Sequence, residues 1–321
     1  MKILIGYDGS ECAEAALAGL TRAGLPENAE VVILTVIDPI PGAQIDGLHG
    51  LDVLMADPMP SAPAPVTEGA SNFQSYMETA RGIAEKGGER LKHLFPKWTI
   101  HHKALCGSPY WGLIRSAESW NADLIIVGSH GRTAMSRVIF GSVSHFVINH
   151  APCAVRVARC SGERPEGPIR VLLAYDNSAD AQLALRAVRQ RTWPSGTLVR
   201  VLGIVDAASL YITAPYEYPA GHWSAEMEKE LRGMLNKSVQ SAVEELQQSS
   251  LTVTGEIKEG DPKQLLLEEA ESWPADSIFL GARGHSMLER FLIGSVSVAI
   301  ASRAHCSAEL VRPKRVSETK S

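Results

Sequence analysis

Lys2-Ile-Leu-Ile-Gly-Tyr-Asp-Gly-Ser10 returns as Arg170-Val-Leu-Leu-Ala-Tyr-Asp-Asn-Ser178, and this recurrence decides the fold. An apolar run of strand length followed by Asp and a small polar residue is one unit. A chain that repeats such a unit is read as a duplication before anything else. Val31 to Asp38 returns as Val199 to Asp206 at the same offset of 168 residues. Further on the offset falls to 153. There Gly107-Ser-Pro109 matches Gly260-Asp-Pro262, Ala117-Glu-Ser-Trp120 recurs intact as Ala270 to Trp273, and Ala122 to Gly128 matches Ala275 to Gly281. The difference requires an insertion in the first half, within the Pro- and Gly-rich stretch Pro39 to Ala70, read as a loop. Loops of this length serve as lids or as spacers, and both readings stay open. Its shorter counterpart, Ala207 to Gly221, carries Tyr211, Tyr216 and Tyr218.

Within each half, short apolar runs alternate with longer amphipathic stretches, the pattern of β-α-β units building a parallel sheet with helices on both faces. The first half predicts strands over Lys2–Tyr7, Glu30–Ile37, Trp98–Leu105, Asp123–Gly128 and Cys153–Arg159. Its helices run from about Ser10 to Ala23, Ser71 to Phe95 and Pro109 to Trp120, with a fourth starting near Gly141. Ser108 and Asp261 stand at N-cap positions before Pro109 and Pro262. The second half repeats the set. Domains are expected over residues 1–159 and 169–312, with a linker at 160–168 and a tail at 313–321.

Composition narrows the function. Of 321 residues, 45% are hydrophobic and 21% charged, with mean hydropathy near zero, as in a soluble globular protein. No apolar run approaches the roughly 18 residues of a membrane span, and no secretory signal is read at the start. A net charge of -5 argues against nucleic acid as partner. Five scattered cysteines without a C-x-x-C pair argue against a disulfide framework or a zinc ribbon and for a reducing cytoplasm.

The chemistry is expected after the fourth strand of each half, because ligands of open parallel sheets bind beyond the strands' carboxyl ends. There the first half has Gly128-x2-Gly131-x9-Gly141-Ser142 and the second Gly281-x2-Gly284-x9-Gly294-Ser295, at identical spacing. Glycines permit a tight turn that brings amides to an anion, and Gly-Ser at a helix start adds free amides, the helix dipole and a hydroxyl. The bland alternative is that these glycines serve close helix-to-sheet packing. Asp8 and Asp176 end the first strand of each half, where they can serve as acceptors for a ribose or base and as helix caps, two roles that do not exclude each other. Arg132 and Arg283 could approach a terminal phosphate or stay solvated at the surface. No G-x4-G-K-[ST] occurs, so the chain is not a P-loop protein. His101, His102, His145, His150 and Cys153 lack a recognised metal spacing and read as structural. No G-x-S-x-G elbow and no carboxylate pair set for acid-base work were found, so no catalytic residue is assigned.

On these residues the sequence resembles the universal stress protein family over nearly its whole length, as a tandem two-domain member of the ATP-binding branch. The resemblance implies two doubly wound five-stranded parallel sheets of order 3-2-1-4-5, the adenine nucleotide alpha hydrolase-like fold. It implies ATP as ligand, with or without Mg²⁺, a role in stress signalling and at most weak ATPase activity. The first site would use Asp8, Val36, Val127, Gly128, Gly131, Arg132, Gly141, Ser142 and Val143. The second would use Asp176, Ile204, Leu280, Gly281, Gly284, Gly294, Ser295 and Val296. Gly6, Gly9, Ser129, His130 and Arg132 become Ala174, Asn177, Ala282, Arg283 and His285, so the sites are not equivalent, and the first adheres more closely to the pattern. The competing reading is a nucleotide-independent scaffold acting through protein contacts.

In the family the last strand pairs between domains. Cys153-Ala-Val-Arg156-Val-Ala-Arg159 aligns with Cys306-Ser-Ala-Glu309-Leu-Val-Arg312, which predicts antiparallel pairing across an internal pseudo-twofold axis with Arg156 near Glu309. The chain would be its own dimer. A further homodimer is left open.

Overall fold

The structure, a computed structural model, describes residues 1–38, 68–130, 140–159, 167–206, 225–284 and 293–315. The loop read at 39–70, its counterpart at 207–221 and most of the linker fall outside these residues. Glu68 to Ala70 are the exception, being helical. The first half runs β1 (Lys2–Gly6), α1 (Glu11–Gly19), β2 (Glu30–Ile37), α2 (Glu68–Leu94), β3 (Thr99–Cys106), α3 (Pro109–Trp120), β4 (Leu124–Gly128), α4 (Ser142–His150) and β5 (Ala154–Ala158). The second runs β6 (Arg170–Ala174), α5 (Ala179–Gln190), β7 (Leu198–Val205), α6 (Ala225–Gln247), β8 (Thr252–Glu259), α7 (Pro262–Ser272), β9 (Ser277–Gly281), α8 (Ser295–Arg303) and β10 (Ser307–Val311).

The strands form one sheet of order β3-β2-β1-β4-β5-β10-β9-β6-β7-β8, the order 3-2-1-4-5 followed by its pseudo-twofold image. Every described pairing is parallel except β5 with β10. Central strands are buried on both faces, as a parallel sheet covered by helices requires, whereas β3 at one edge exposes His101, His102 and Lys103.

One face carries α3, α4, α7 and α8 over a single core shared by both halves, in which Leu113, Ile148, Leu266 and Ile300 all take part. The other face carries two separate cores, one under α1 and α2 and one under α5 and α6. The halves are fused through one shared core and the central strand pair, and on the other face through Arg22, which pairs with Asp276 at 2.9 Å, and the Thr192 amide, which donates to the Gly24 carbonyl at 2.9 Å.

In that pair Glu309 lies directly opposite Arg156, as the alignment predicts. The two side chains are 1% and 2% exposed and meet at 3.3 Å. Arg191, at the end of α5, takes the other carboxylate oxygen and donates to the Ala23 carbonyl at 3.1 Å. Burial pulls the Arg156 guanidinium below its ordinary pKa, and Glu309 opposes that shift. Reciprocal arginines tie the shared face. Arg159, after β5, donates to the Ala301 carbonyl near the end of α8 at 2.7 Å, and Arg312, after β10, donates to the Ile148 and Ala151 carbonyls at the end of α4. A cation on unsatisfied C-terminal carbonyls complements the helix dipole, here across the seam in both directions.

Sequence differences between the halves respect the backbone. Gly9 (φ 73°) is replaced by Asn177 (φ 63°), and Asn is among the few residues that accept this left-handed conformation. Cys106, Cys153 and Cys306 are free thiols, and burial pushes Cys153 up to about 12, leaving it protonated at neutral pH. Cys12 is disulfide-bonded, which departs from the expectation that the scattered cysteines stay reduced.

Candidate functional site

Both sites begin at the first βα turn. Asp8 accepts a hydrogen bond from the Ser10 amide at 3.0 Å, and Ser10 Oγ accepts from the Ala13 amide to cap α1. Asp176 and Ser178 repeat this at 3.0 and 3.3 Å on α5. The serines are therefore the caps. The aspartates instead brace the turn, which corrects the alternative that made Asp8 and Asp176 the caps.

The glycine segments repeat just as closely. The Gly141 amide donates to Ser129 O at 2.9 Å and the Gly294 amide to Ala282 O at 2.8 Å. Ser144 and Ser297, in the first turns of α4 and α8, donate their hydroxyls to the carbonyls of Gly128 and Gly281. A Cβ on Gly141 or Gly294 would sit 3.2 Å from the Ser129 carbonyl oxygen or 3.3 Å from that of Ala282. These two glycines permit a close crossing, and their amides are already used. The donors at each helix start are the next three amides, 142–144 and 295–297, with the exposed hydroxyls of Ser142 and Ser295.

Gly281 and Gly284 divide the two readings of the motif. A Cβ on Gly281 would lie 2.8 Å from the Ala181 amide nitrogen, so this glycine serves helix packing. A Cβ on Gly284 would lie 2.9 Å from the Asp176 carboxylate, so this one brings the turn against the carboxylate on the rim. Gly131 and Arg132 lie outside the described residues.

In the second half these pieces enclose a cleft of about 810 Å³. Asp176, Ile204, Leu280, Gly281, Gly284, Gly294, Ser295 and Val296 all line it. The sequence favoured the first site, yet the cleft described belongs to the second. In the first half Asp8, Val36, Gly128, Gly141, Ser142 and Val143 occupy the matching places, and Val127 is a buried core side chain. Val36 packs on Gly112 of α3, where a Cβ would meet it at 3.0 Å.

Several lining residues went unread in the sequence. Leu231, Met234 and Leu235 of α6 form an apolar wall, and Met234 is 56% exposed. Their i, i+3, i+4 spacing, continuing into the buried stripe Val239, Ala242, Val243 and Leu246, was the available signal. Asp206, Asp261 and Lys263 complete the outer rim. Arg283 also lines the cleft and is not free in solvent. Its guanidinium forks onto Asp180 at 2.9 and 3.0 Å, and that hydrogen-bonded pairing raises its pKa. Among the described residues no cluster of His, Cys, Asp or Glu could hold a metal ion, and no helix is long and apolar enough to cross a membrane.

Fold and rim define a class: a tandem doubly wound α/β protein with a glycine-bordered helix start at the sheet rim of each repeat. The family model described as "Universal stress protein family" matches residues 1–159 and 169–312, and the chain belongs to that family. A universal stress protein of Mycolicibacterium smegmatis is 23% identical over 314 residues, covering 97% of both chains. A putative universal stress protein of Staphylococcus aureus is 31% identical over 163 residues, 49% of this chain and 82% of that protein. The crystal structure of a universal stress protein from Archaeoglobus fulgidus superposes with a TM-score of 0.56 at 18% identity, covering 98% of this chain and 96% of the other, which supports the tandem fold.

Proposed function

We propose that this stress-response protein binds an adenine nucleotide in each repeat, units 1–159 and 169–312, and that occupancy is its signal, with at most slow hydrolysis. The observation that carries the reading is the 810 Å³ cleft bordered by all eight expected residues of the second half. Its size lies within the roughly 300 to 1,000 Å³ of small-molecule sites. Ser295, Val296 and Ser297 would offer amides to phosphates, Asp176 would accept from the ribose, and Ile204, Leu280 and Val296 would flank the base. Asp8, Val36, Val127, Gly128, Gly131, Arg132, Gly141, Ser142 and Val143 would act likewise in the first half. ATP would bring Mg²⁺ on its phosphates. The cytoplasm is the proposed location, and the internal β5–β10 pair makes the chain its own dimer.

Titration calorimetry with ATP, AMP and a cyclic nucleotide tests this. Binding that Gly284→Val abolishes in one of two sites supports the reading. No heat with any of the three sinks it, and leaves the scaffold reading, for which the packing role of Gly281 speaks.

A further inference from the structure

We infer that Asp180 and Arg283 are a positioning pair that fixes the second cleft in its binding geometry before ligand arrives. The inference rests on the nucleotide reading above and says how this one site is held.

Arg283 stands inside the glycine segment, between Ala282 and Gly284. Asp180 is the second residue of α5 after its cap Ser178, where a carboxylate also meets the positive end of the helix dipole. The two-pronged contact at 2.9 and 3.0 Å is the arrangement a planar guanidinium prefers, and the Asp180 side chain is 5% exposed. Two further contacts join the same segments. Ser178 Oγ donates to the Arg283 carbonyl at 3.4 Å, and the missing Cβ of Gly281 lets the start of α5 press against the end of β9. Of the two segments so tied, the one entering α5 carries Asp176 and the one leaving β9 carries Gly284, where a Cβ would lie 2.9 Å from the Asp176 carboxylate.

The pair therefore sets the spacing between the carboxylate that faces the ribose and the turn that faces the phosphates. Ordering these segments in advance removes a cost that binding would otherwise meet. Swinging Arg283 to a phosphate would strip the buried Asp180 of its hydrogen-bonded cation and leave only the charge of Arg312 nearby, which is unfavourable, so the arginine is a strut and not a phosphate ligand. At the matching positions the first half has Cys12 and His130, which cannot form this pair.

The test uses the full chain with Asp180→Asn and Arg283→Lys, each titrated with ATP while peptide-resolved hydrogen exchange follows residues 277–284 and 293–300 against residues 124–130 and 140–150. Melting temperature is recorded alongside. Asp180→Asn is expected to weaken ATP protection of the second-half peptides about tenfold, Arg283→Lys less, with the first-half peptides unmoved, and to speed exchange of 281–284 without ligand. A lowered melting temperature with unchanged ATP affinity overturns the inference, because that is a merely structural role. Tighter ATP binding overturns it too, since it means a freed Arg283 takes up phosphate. If the parent chain binds no ATP, the nucleotide reading fails on its own; unchanged exchange of 281–284 in Asp180→Asn then overturns the positioning role.

Discussion

The two halves share a backbone and differ in what their side chains do with it. Gly107 and Gly260 have φ of 135° and 141°, and the βα turns and the crossings before α4 and α8 are built from matching hydrogen bonds. Yet where the second half joins Arg200, Lys258 and Glu269 in an ion-pair network under α7, the first half has Val32, Leu105 and Ser116. Where the second half has Asp180 on Arg283, the first has Cys12 and His130. Duplication preserved the features a parallel sheet cannot lose, while the polar contacts diverged. A difference confined to side chains should show up as unequal responses to matched substitutions.

The largest effect is expected at the seam, where the halves are no longer independent. Glu309→Gln leaves Arg156 and Arg191 buried beside a neutral amide, and should cost about 3 to 5 kcal/mol in urea unfolding. Loss well below that would mean that water reaches the seam. Replacing Arg156, Arg191 and Glu309 together by Met, Met and Leu should recover most of the stability if the isolated charges are the cause.

Next comes the network peculiar to the second half. Burial raises the Glu269 carboxyl, but hydrogen bonds from Lys258 and Arg200 outweigh it and hold the group below its ordinary 4.5. A carboxyl with a depressed folded pKa stabilises fully above its unfolded value and loses that contribution as pH falls through the folded one. Glu269→Gln should thus cost about 2 kcal/mol at neutral pH, as for a hydrogen bond to a charged group, with the gap from the parent narrowing below about pH 4.5. A gap independent of pH would remove the ion pairs from the account.

The third comparison sets Gly281→Ala against Gly128→Ala. In the second half the added Cβ meets main-chain atoms of Asp180 and Ala181 at 2.8 Å, which cannot move aside without shifting α5. In the first half the nearest atoms are the His130 carbonyl oxygen at 3.2 Å and the Cys12 sulfur at 3.7 Å. Overpacking costs about 1 to 3 kcal/mol for the first substitution, and less than about 1 for the second. Equal losses by thermal melting would show that both glycines serve packing alike.

Much of this was legible because the repeat supplied two readings of each element. The strands and the register of Arg156 on Glu309 followed from aligning one half on the other, while the order of the sheet and the pairing of the last strands came from the family resemblance. The Asp180–Arg283 pair did not, because its members are 103 residues apart and their counterparts are Cys and His, so no second copy pointed to them. Spacing showed that glycines recur, but not that Gly294 spends its amide on Ala282 while Gly284 abuts Asp176, since both facts depend on where a turn crosses a strand end. The α6 wall was missed because Leu231, Met234 and Leu235 resemble ordinary core positions of an amphipathic helix.

The smallest effect should appear at the two helix caps that the sequence treats as equivalents. Asp261 accepts from the Lys263 amide at 3.0 Å and so satisfies one of the unpaired donors of α7. Ser108 has cap dihedrals, φ −69° and ψ 121°, but its hydroxyl makes no capping bond and is buried without a partner. Asp261→Ala should cost about 1 kcal/mol, the usual loss for a working cap. Ser108→Ala removes a polar group already deprived of both water and a partner, so it should be neutral or stabilise by up to about 1 kcal/mol. Chemical denaturation of the two variants side by side reads the difference. A destabilised Ser108→Ala would mean that its hydroxyl is solvated or bonded in solution, and that the two caps work alike after all.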